Sequence, residues 1–478
     1  MNRKNNQQKN NYQKSSHQKD NHQKSCTMEP RMAVWKILYG VLEEQQYSHV
    51  ELQRIFREHP ELSSRDRAFV ERIVRGTLEH LYELDALIGY CSRLPVKKLK
   101  PHIRTILRMS VYQLKYMDSV PARAVCNEAV HLANRLGFAS LRSYVNGVLR
   151  NLSRSLEEGF TVYGGSMEPE EKLSLQYSMP RWILKRYLHM FGEADTIRLL
   201  QAQMEPVRLS VYRNPMVFTK EELKRELIGT GADCEELPFG LDGFYISSVS
   251  GPEQMPAFQQ GAFLIQDVSS MLQGKVTAAG KDHYVMDVCA APGGKTFHAA
   301  MDMKGSGCVD CADVSETKTA LIQENAERLK LPNVKISVRD AAVFDASLVE
   351  RADILIADLP CSGLGIIGRK PEIRYNITEK DVQSLAALQR KILDTVWRYV
   401  KPGGRLIYST CTLTEEEDEE NYRYLTEKLP FEPESLKPYF PQGPEADTLE
   451  KGYIKLIPGI HPCDGFFIGS AVRRRNEE

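Results

Sequence analysis

Asp287-Val288-Cys289-Ala290-Ala291-Pro292-Gly293-Gly294-Lys295-Thr296 decides how the rest of this chain is read. The apolar run Val285-Met286-Asp287-Val288 has the pattern of a buried strand, and Thr296 to Met301 begins a helical one. Strand, glycine-rich turn and helix start bring backbone N–H groups and a positive helix end to one point. Such a point suits a polar or anionic ligand. Two nucleotide motifs are excluded. Cys289 stands where a P-loop requires its first glycine, and no G-x-G-x-x-G is present. Alone, the turn would be an ordinary strand-to-helix connection; its weight comes from the pattern of the residues downstream.

Beyond it, strands and helices alternate. Cys308 to Ala312 predicts a strand ending at Asp313, followed by a helix from Ser315 to Leu329. Val334 to Val338 predicts a strand ending at Asp340, and Ala352 to Ala357 one ending at Asp358. A helix over Ser384 to Val400 and a strand over Gly404 to Tyr408 lead into Ser409-Thr410-Cys411. This repetition implies a parallel, doubly wound, Rossmann-like α/β sheet, with ligands gathered at the C-terminal strand edge. Gly465 to Gly469 adds a late antiparallel strand, expected at the sheet's edge.

Asp313 stands where a ribose-binding carboxylate belongs, and Asp340 could hold an adenine amine. One aspartate at a strand end is usually a helix cap; three beside a glycine-rich turn favour a nucleoside cofactor. Cys361, in Asp358-Leu359-Pro360-Cys361-Ser362-Gly363, and Cys411 both follow buried strands and would open onto that edge. Singly each reads as a small buried hydrophobe. Together beside a cofactor they suggest thiolate attack, with a thiol acidified by Lys295.

Upstream, residues 28–165 are helical in pattern throughout. Ser63 and Ser64 offer a cap, and helices are expected over Ile103 to Tyr116, Arg123 to Leu136 and Leu141 to Leu152. Arg104, Arg108, Arg123, Arg135 and Arg142 read first as a solvated face and second as a basic RNA-binding one. Gly164-Gly165 and Glu168 to Glu171 read as a linker. Two helices over residues 177–205 precede a small α+β, RRM-like subdomain. Its strands are expected at Val207 to Tyr212 and Gly243 to Val249, in a βαβ-like arrangement. The divisions are therefore 1–27, 28–165, 166–262 and 263–478, the last catalytic.

Composition limits the alternatives. The 478 residues carry 63 basic and 63 acidic side chains, so any basic surface must be local. No apolar run approaches the ~18 residues of a membrane helix, so no membrane association is expected. Ten cysteines without a framework of spacings suggest free thiols in a cytoplasmic protein. The lone C-x-x-C pair, Cys308 and Cys311, lacks a second pair, and no metal is expected. Residues 1–27, with Gln-Lys recurring every five residues, are expected to be disordered.

The segments Cys289 to Lys295, Asp358 to Gly363 and Ser409-Thr410-Cys411 resemble the motifs of the Nol1/Nop2/Sun group of S-adenosylmethionine-dependent RNA cytosine-5 methyltransferases. By domain order the resemblance covers residues 28–478 and extends to the branch that methylates bacterial 16S ribosomal RNA. That branch carries a NusB-like RNA-binding helical domain, which Arg65-Asp66-Arg67-Ala68-Phe69-Val70 fits. The resemblance implies that Cys289, Ala290, Ala291, Pro292, Gly293, Gly294 and Lys295 cradle the methionine part of the cofactor. Asp313 would hold the ribose, Asp340 the adenine side, and Asp358 would lie between cofactor and base. It further implies Cys411 as nucleophile and Cys361 as the residue that releases product.

Gly365 to Tyr375, with Arg369, Lys370 and Arg374, reads equally as a clamp on RNA backbone and as an exposed basic loop. A monomer acting on 16S rRNA is expected. The competing readings are the same chemistry on transfer RNA or another ribosomal site, an inert RNA-binding assembly factor, and methylation of a small molecule.

Overall fold

The computed structural model describes residues 28–164, 167–249 and 251–475; the Gln-Lys-rich segment lies outside them. The N-terminal part consists of helices α1 (Pro30–Glu43), α2 (Ser48–Glu58), α3 (Ser64–Glu79), α4 (Leu81–Cys91), α5 (Pro101–Tyr116), α6 (Ala122–Arg135) and α7 (Arg142–Glu157). Their apolar stripes close around one core that includes Ile37, Leu38, Ile73, Leu107 and Leu149. Ser63 caps α3 in a reciprocal capping box with Asp66. Of the five bundle arginines that the sequence singles out, Arg104, Arg108 and Arg135 are held by Glu43, Asp85 and Glu29. Arg123 and Arg142 are exposed.

The expected linker at Glu168 to Glu171 is instead the start of a helix, α8 (Pro169–Gln176). Proline at its first position and two acids in its first turn suit a helix N-terminus, but eight residues are too few for a visible periodicity. α9 (Arg181–Ala202) bends at Gly192, whose φ of 72° breaks it into the two helices the sequence suggested.

The small subdomain runs β1 (Leu209–Arg213), α10 (Lys220–Gly229), β2 (Asp233–Glu236), β3 (Gly243–Ser247), α11 (Pro256–Gln259) and β4 (Phe263–Ile265). Its sheet order is β2-β3-β1-β4, with every neighbouring pair antiparallel. The expected βαβ unit is thus split: Gly243–Ser247 is not the strand returning from α10 but the next one, inserted between β1 and β2. β2 escapes sequence reading because Asp233-Cys234-Glu235-Glu236 is polar and mostly exposed. β4 belongs to this sheet, so the boundary expected after residue 262 cuts off its last strand.

α12 (Val268–Thr277), capped by Asp267, leads into the large domain. There the chain continues through β5 (Tyr284–Asp287), α13 (Gly294–Asp302), β6 (Cys308–Asp313), α14 (Glu316–Arg328), β7 (Val334–Val338), β8 (Ala352–Asp358), α15 (Ile373–Asn376) and α16 (Glu379–Val396). It ends with β9 (Val400–Thr410), α17 (Glu419–Lys428), β10 (Phe431–Pro433), β11 (Tyr453–Leu456) and β12 (Phe466–Arg473). The order β7-β6-β5-β8-β9 is parallel, and the antiparallel β12 lies beside β9. β12 is internal rather than at the edge, because β10 and β11 pair along its far side. α16 starts five residues earlier than expected, since Thr378 and Asp381 form a capping box there. Chain order reverses between β5 and β8, which places the binding crevice at the C-terminal ends of those strands.

Candidate active site

The turn after β5 is held by its neighbours on the sheet. Ala290 N–H donates to the Ala312 carbonyl at 2.9 Å, and Gly293 N–H closes back on Ala290 at 2.6 Å. Gly293 has φ 105°, and a Cβ there would lie 2.3 Å from the Phe297 ring, so only glycine fits. Beneath the turn, Asp287 accepts from the Thr296 hydroxyl at 2.6 Å, while its other oxygen has no partner among the described residues. Burial pushes this carboxyl up to about 7. Asp313 accepts from Ala291 N–H and Ser315 N–H, each at 3.3 Å, so it reaches from β6 across to the turn. Asp340 is exposed and accepts from Ala342 N–H at 2.8 Å. It stands beside a cavity of about 480 Å³ lined by Met286, Val288, Ala312, Phe344 and Tyr399.

The two cysteines meet. Cys411 directly follows β9, Cys361 lies three residues past β8, and their sulfurs are 3.1 Å apart. The hydrogen bond with Cys411, reinforced by burial, pushes the Cys361 thiol well above its ordinary value. The sequence predicts acidification by Lys295, and for Cys361 the structure reverses it. Lys295 Nζ is held 2.6 Å from Asp358, and Ser409 donates to the same carboxylate at 2.8 Å. Burial opposes the lysine charge, but Asp358 outweighs it and the ammonium is raised. The ammonium also lies 5.0 Å from the centre of the Phe466 ring.

These loops are fastened from below. Glu417, fully buried, accepts from Ser362 N–H at 2.8 Å, the Thr414 hydroxyl at 2.9 Å and Gln389 at 3.2 Å. Gly365 N–H donates to the Cys411 carbonyl at 3.1 Å, and Gly465 N–H to the Gly365 carbonyl at 2.9 Å. A Cβ on Gly365 would lie 2.1 Å from the Gly465 carbonyl, so the two backbones need glycine to approach this closely.

A profile of the family described as 16S rRNA methyltransferase RsmB/F matches residues 276–471, and one of the NusB family matches 28–154. A probable ribosomal RNA small subunit methyltransferase B of Bacillus subtilis is 33% identical over 437 residues, 90% of this chain and 96% of its own. The chain belongs to this family of small-subunit ribosomal RNA methyltransferases. A probable member from Synechocystis is 32% identical, covering 92% of this chain and 98% of its own. The crystal structure of PH0851 has the same fold, with a TM-score of 0.77 over 93% of this chain and 99% of its own, at 24% identity.

The family depends on S-adenosylmethionine, and this sheet edge fits it. A bare glycine turn, the Asp313 carboxylate across from it and an apolar, aromatic-walled cavity beside Asp340 match its amino-acid, ribose and adenine parts in kind.

The segment Gly365 to Tyr375 is not the exposed basic loop that is one of its two expected readings. Arg374 is 1% exposed and donates to the Tyr177 carbonyl at 2.7 Å. Arg369 is tied to Asp464 and, at 2.6 Å, to Asp267. Lys370 lies 5.4 Å from the centre of the Tyr47 ring. The segment docks the methyltransferase domain onto the helical one: Arg75 donates to the Gly368 carbonyl at 3.1 Å, and Tyr375 to the Leu78 carbonyl at 2.7 Å. Sequence reading passes over Asp287 and Glu417. Asp287, at a strand end like the three chosen aspartates, could be found by the same rule; Glu417 sits in an acidic run that looks like a solvated turn.

Proposed function

We propose that this methyltransferase places its methyl group on C5 of a cytidine in 16S ribosomal RNA, through a covalent bond between Cys411 and C6 of the base. The observation that carries this is the pair of sulfurs 3.1 Å apart at the C-terminal edge of β8 and β9. Two thiolates that close would repel strongly, so one of the pair keeps its proton; the resemblance to the cytosine-5 methyltransferases assigns Cys411, as thiolate, to the attack and leaves the proton on Cys361. S-adenosylmethionine supplies a methyl group made electrophilic by its sulfonium.

C5 of cytosine is a weak nucleophile within an aromatic ring. When the Cys411 sulfur adds to C6, aromaticity is lost and C5 becomes an enamine-like carbon able to take the methyl. The C5 proton must then leave, so that the C5–C6 double bond re-forms as the carbon–sulfur bond breaks. Cys361, next to Cys411, is the base assigned to that proton: once Cys411 is bonded to carbon, the Cys361 proton passes to solvent as the one proton the methylation releases, and the resulting thiolate takes the C5 proton. Asp358, fixed by Lys295 and Ser409, would steady the N3 and amine edge of the ring as charge builds. The base must be splayed from its stack to reach both sulfurs. Cys289 to Lys295 would hold the methionine part of the cofactor, Asp313 its ribose and Asp340 its adenine side. Such an enzyme would work in the cytoplasm.

The test is denaturing gel electrophoresis of enzyme with 16S RNA and tritiated cofactor. Cys411→Ala should lose methyl transfer and keep cofactor binding. Cys361→Ala should accumulate an RNA–protein adduct. An adduct seen with Cys361 intact, and lost when only Cys361 is changed, would exchange the two roles. No adduct in any variant would end the covalent reading.

A further inference from the structure

Gln266 joins the small sheet to the methyltransferase domain, and its backbone is pinned on both sides. Its N–H donates to the Ser210 carbonyl at 3.2 Å, and its carbonyl accepts from the Ser210 hydroxyl at 2.6 Å. The next residue, Asp267, caps α12 through Ser269 N–H at 2.8 Å and pairs with Arg369 at 2.6 Å. The residue is 8% exposed, and neither its amide nitrogen nor its amide oxygen has a partner among the described residues. A carboxamide buried without partners costs stability, and almost every such group in a folded protein meets a ligand, a water or another side chain.

What lies against this one is the glycine turn. A Cβ built on Gly294 would sit 3.3 Å from Gln266 Nε2 and 3.9 Å from its carboxamide carbon. Gly294 is the first residue of the nine-residue helix α13, so the amide lies at that helix's positive end. The absence of a side chain at 294 leaves the carboxamide room there.

We propose that Gln266 binds the amino-acid end of S-adenosylmethionine: Oε1 accepts from the α-ammonium and Nε2 donates to the α-carboxylate. A primary amide carries an acceptor oxygen and a donor nitrogen side by side, and an α-amino acid presents their complements on one carbon. The N-terminus of α13 favours the carboxylate in the same place. This rests on the family's cofactor dependence and is independent of which cysteine attacks.

The test is isothermal titration of the full chain with two ligands. S-adenosylhomocysteine keeps the amino-acid end; 5′-methylthioadenosine has the same adenine, ribose and thioether but lacks it. Gln266→Leu should weaken S-adenosylhomocysteine by about tenfold or more, the scale of lost polar contacts to charged groups, and leave methylthioadenosine within about twofold. Gln266→Glu keeps an acceptor but sets a negative charge against the carboxylate, so it should show the same selective loss, and it decides the matter if the leucine variant does not fold. Equal weakening of both ligands would mean a structural role and overturn the proposal. Unchanged affinity for both would assign the amide to the RNA base or to water, and would overturn it too. Neither ligand carries a methyl to donate and no RNA is present, so failure of the Cys411 chemistry would leave this result untouched.

Discussion

The connection from β8 to α16 has two halves that do opposite things. Leu359 to Leu364 turns toward β9 and carries Cys361 to Cys411, held by Glu417 and by Thr412, whose hydroxyl accepts from Leu364 N–H at 3.3 Å. Gly368 to Ile377 turns away and grips the helical domain, with Glu372, Arg374 and Tyr375 all bonded to residues before position 180. Between them Leu364, Ile367 and Ile373 share one apolar cluster with Ile183, Leu184 and Tyr187 of α9. The cysteine loop is therefore braced by α9, which contributes no atom to the sulfur pair.

Cutting the first half should have the larger effect. Glu417→Ala leaves Ser362 N–H, the Thr414 hydroxyl and the Gln389 amide without their buried acceptor, which costs about 3 kcal/mol or more. Urea unfolding should show that loss, and methyl transfer should fall with it because Ser362 follows Cys361 directly. Glu417→Gln tests the charge separately. Burial holds the Glu417 carboxyl above the ordinary glutamate value, so its folded form takes up a proton more readily than its unfolded one. The wild type's stability relative to Glu417→Gln should be greatest in acid and shrink as pH rises through that raised value. A difference that grows with pH would reverse the assignment.

The two halves also differ in how far sequence can reach them. The glycine turn, the strand-end aspartates and both cysteines are legible, because a parallel sheet delivers every strand's C-terminal end to one edge whatever the intervening helices do. Arg369 and Arg374 mislead because their partners are remote. Asp464 lies 95 residues from Arg369, and Tyr177 lies 197 residues from Arg374. A cation in a loop looks identical whether it meets phosphate, water or a buried carbonyl. β2 and α8 are hidden for the local reason that one is polar and the other short.

Glu372 shows the same distance at its greatest, and it gives the intermediate effect. α2 begins at Ser48 behind Tyr47, which offers no side-chain cap. Glu372, fully buried and 324 residues away, takes the Ser48 N–H at 2.9 Å and its hydroxyl at 3.0 Å, capping the helix from another domain. Glu372→Ala should cost about 2 kcal/mol, the upper range for a lost cap, and expose the boundary between helical and catalytic parts to protease. Ser48→Ala should cost less, since the backbone N–H keeps its carboxylate. Equal proteolysis rates for wild type and Glu372→Ala would break the claim that this contact joins the domains.

Lys370 should have the smallest effect, and it is the sharpest test of the segment's reading. Its ammonium sits 5.4 Å from the centre of the Tyr47 ring, and Tyr47 is 51% exposed, so the contact is worth only about 0.5 kcal/mol. His49 lies close enough to be affected: burial lowers its pKa, and the Lys370 charge lowers it further. Lys370→Ala should leave RNA affinity and its salt dependence as they are, with a melting point lowered by a degree or so. A lysine that neutralised a phosphate would instead flatten the plot of log affinity against log salt by about one unit when removed. If that slope changes, this residue belongs to the RNA clamp after all, and the second half of the connection would both dock a domain and hold the substrate.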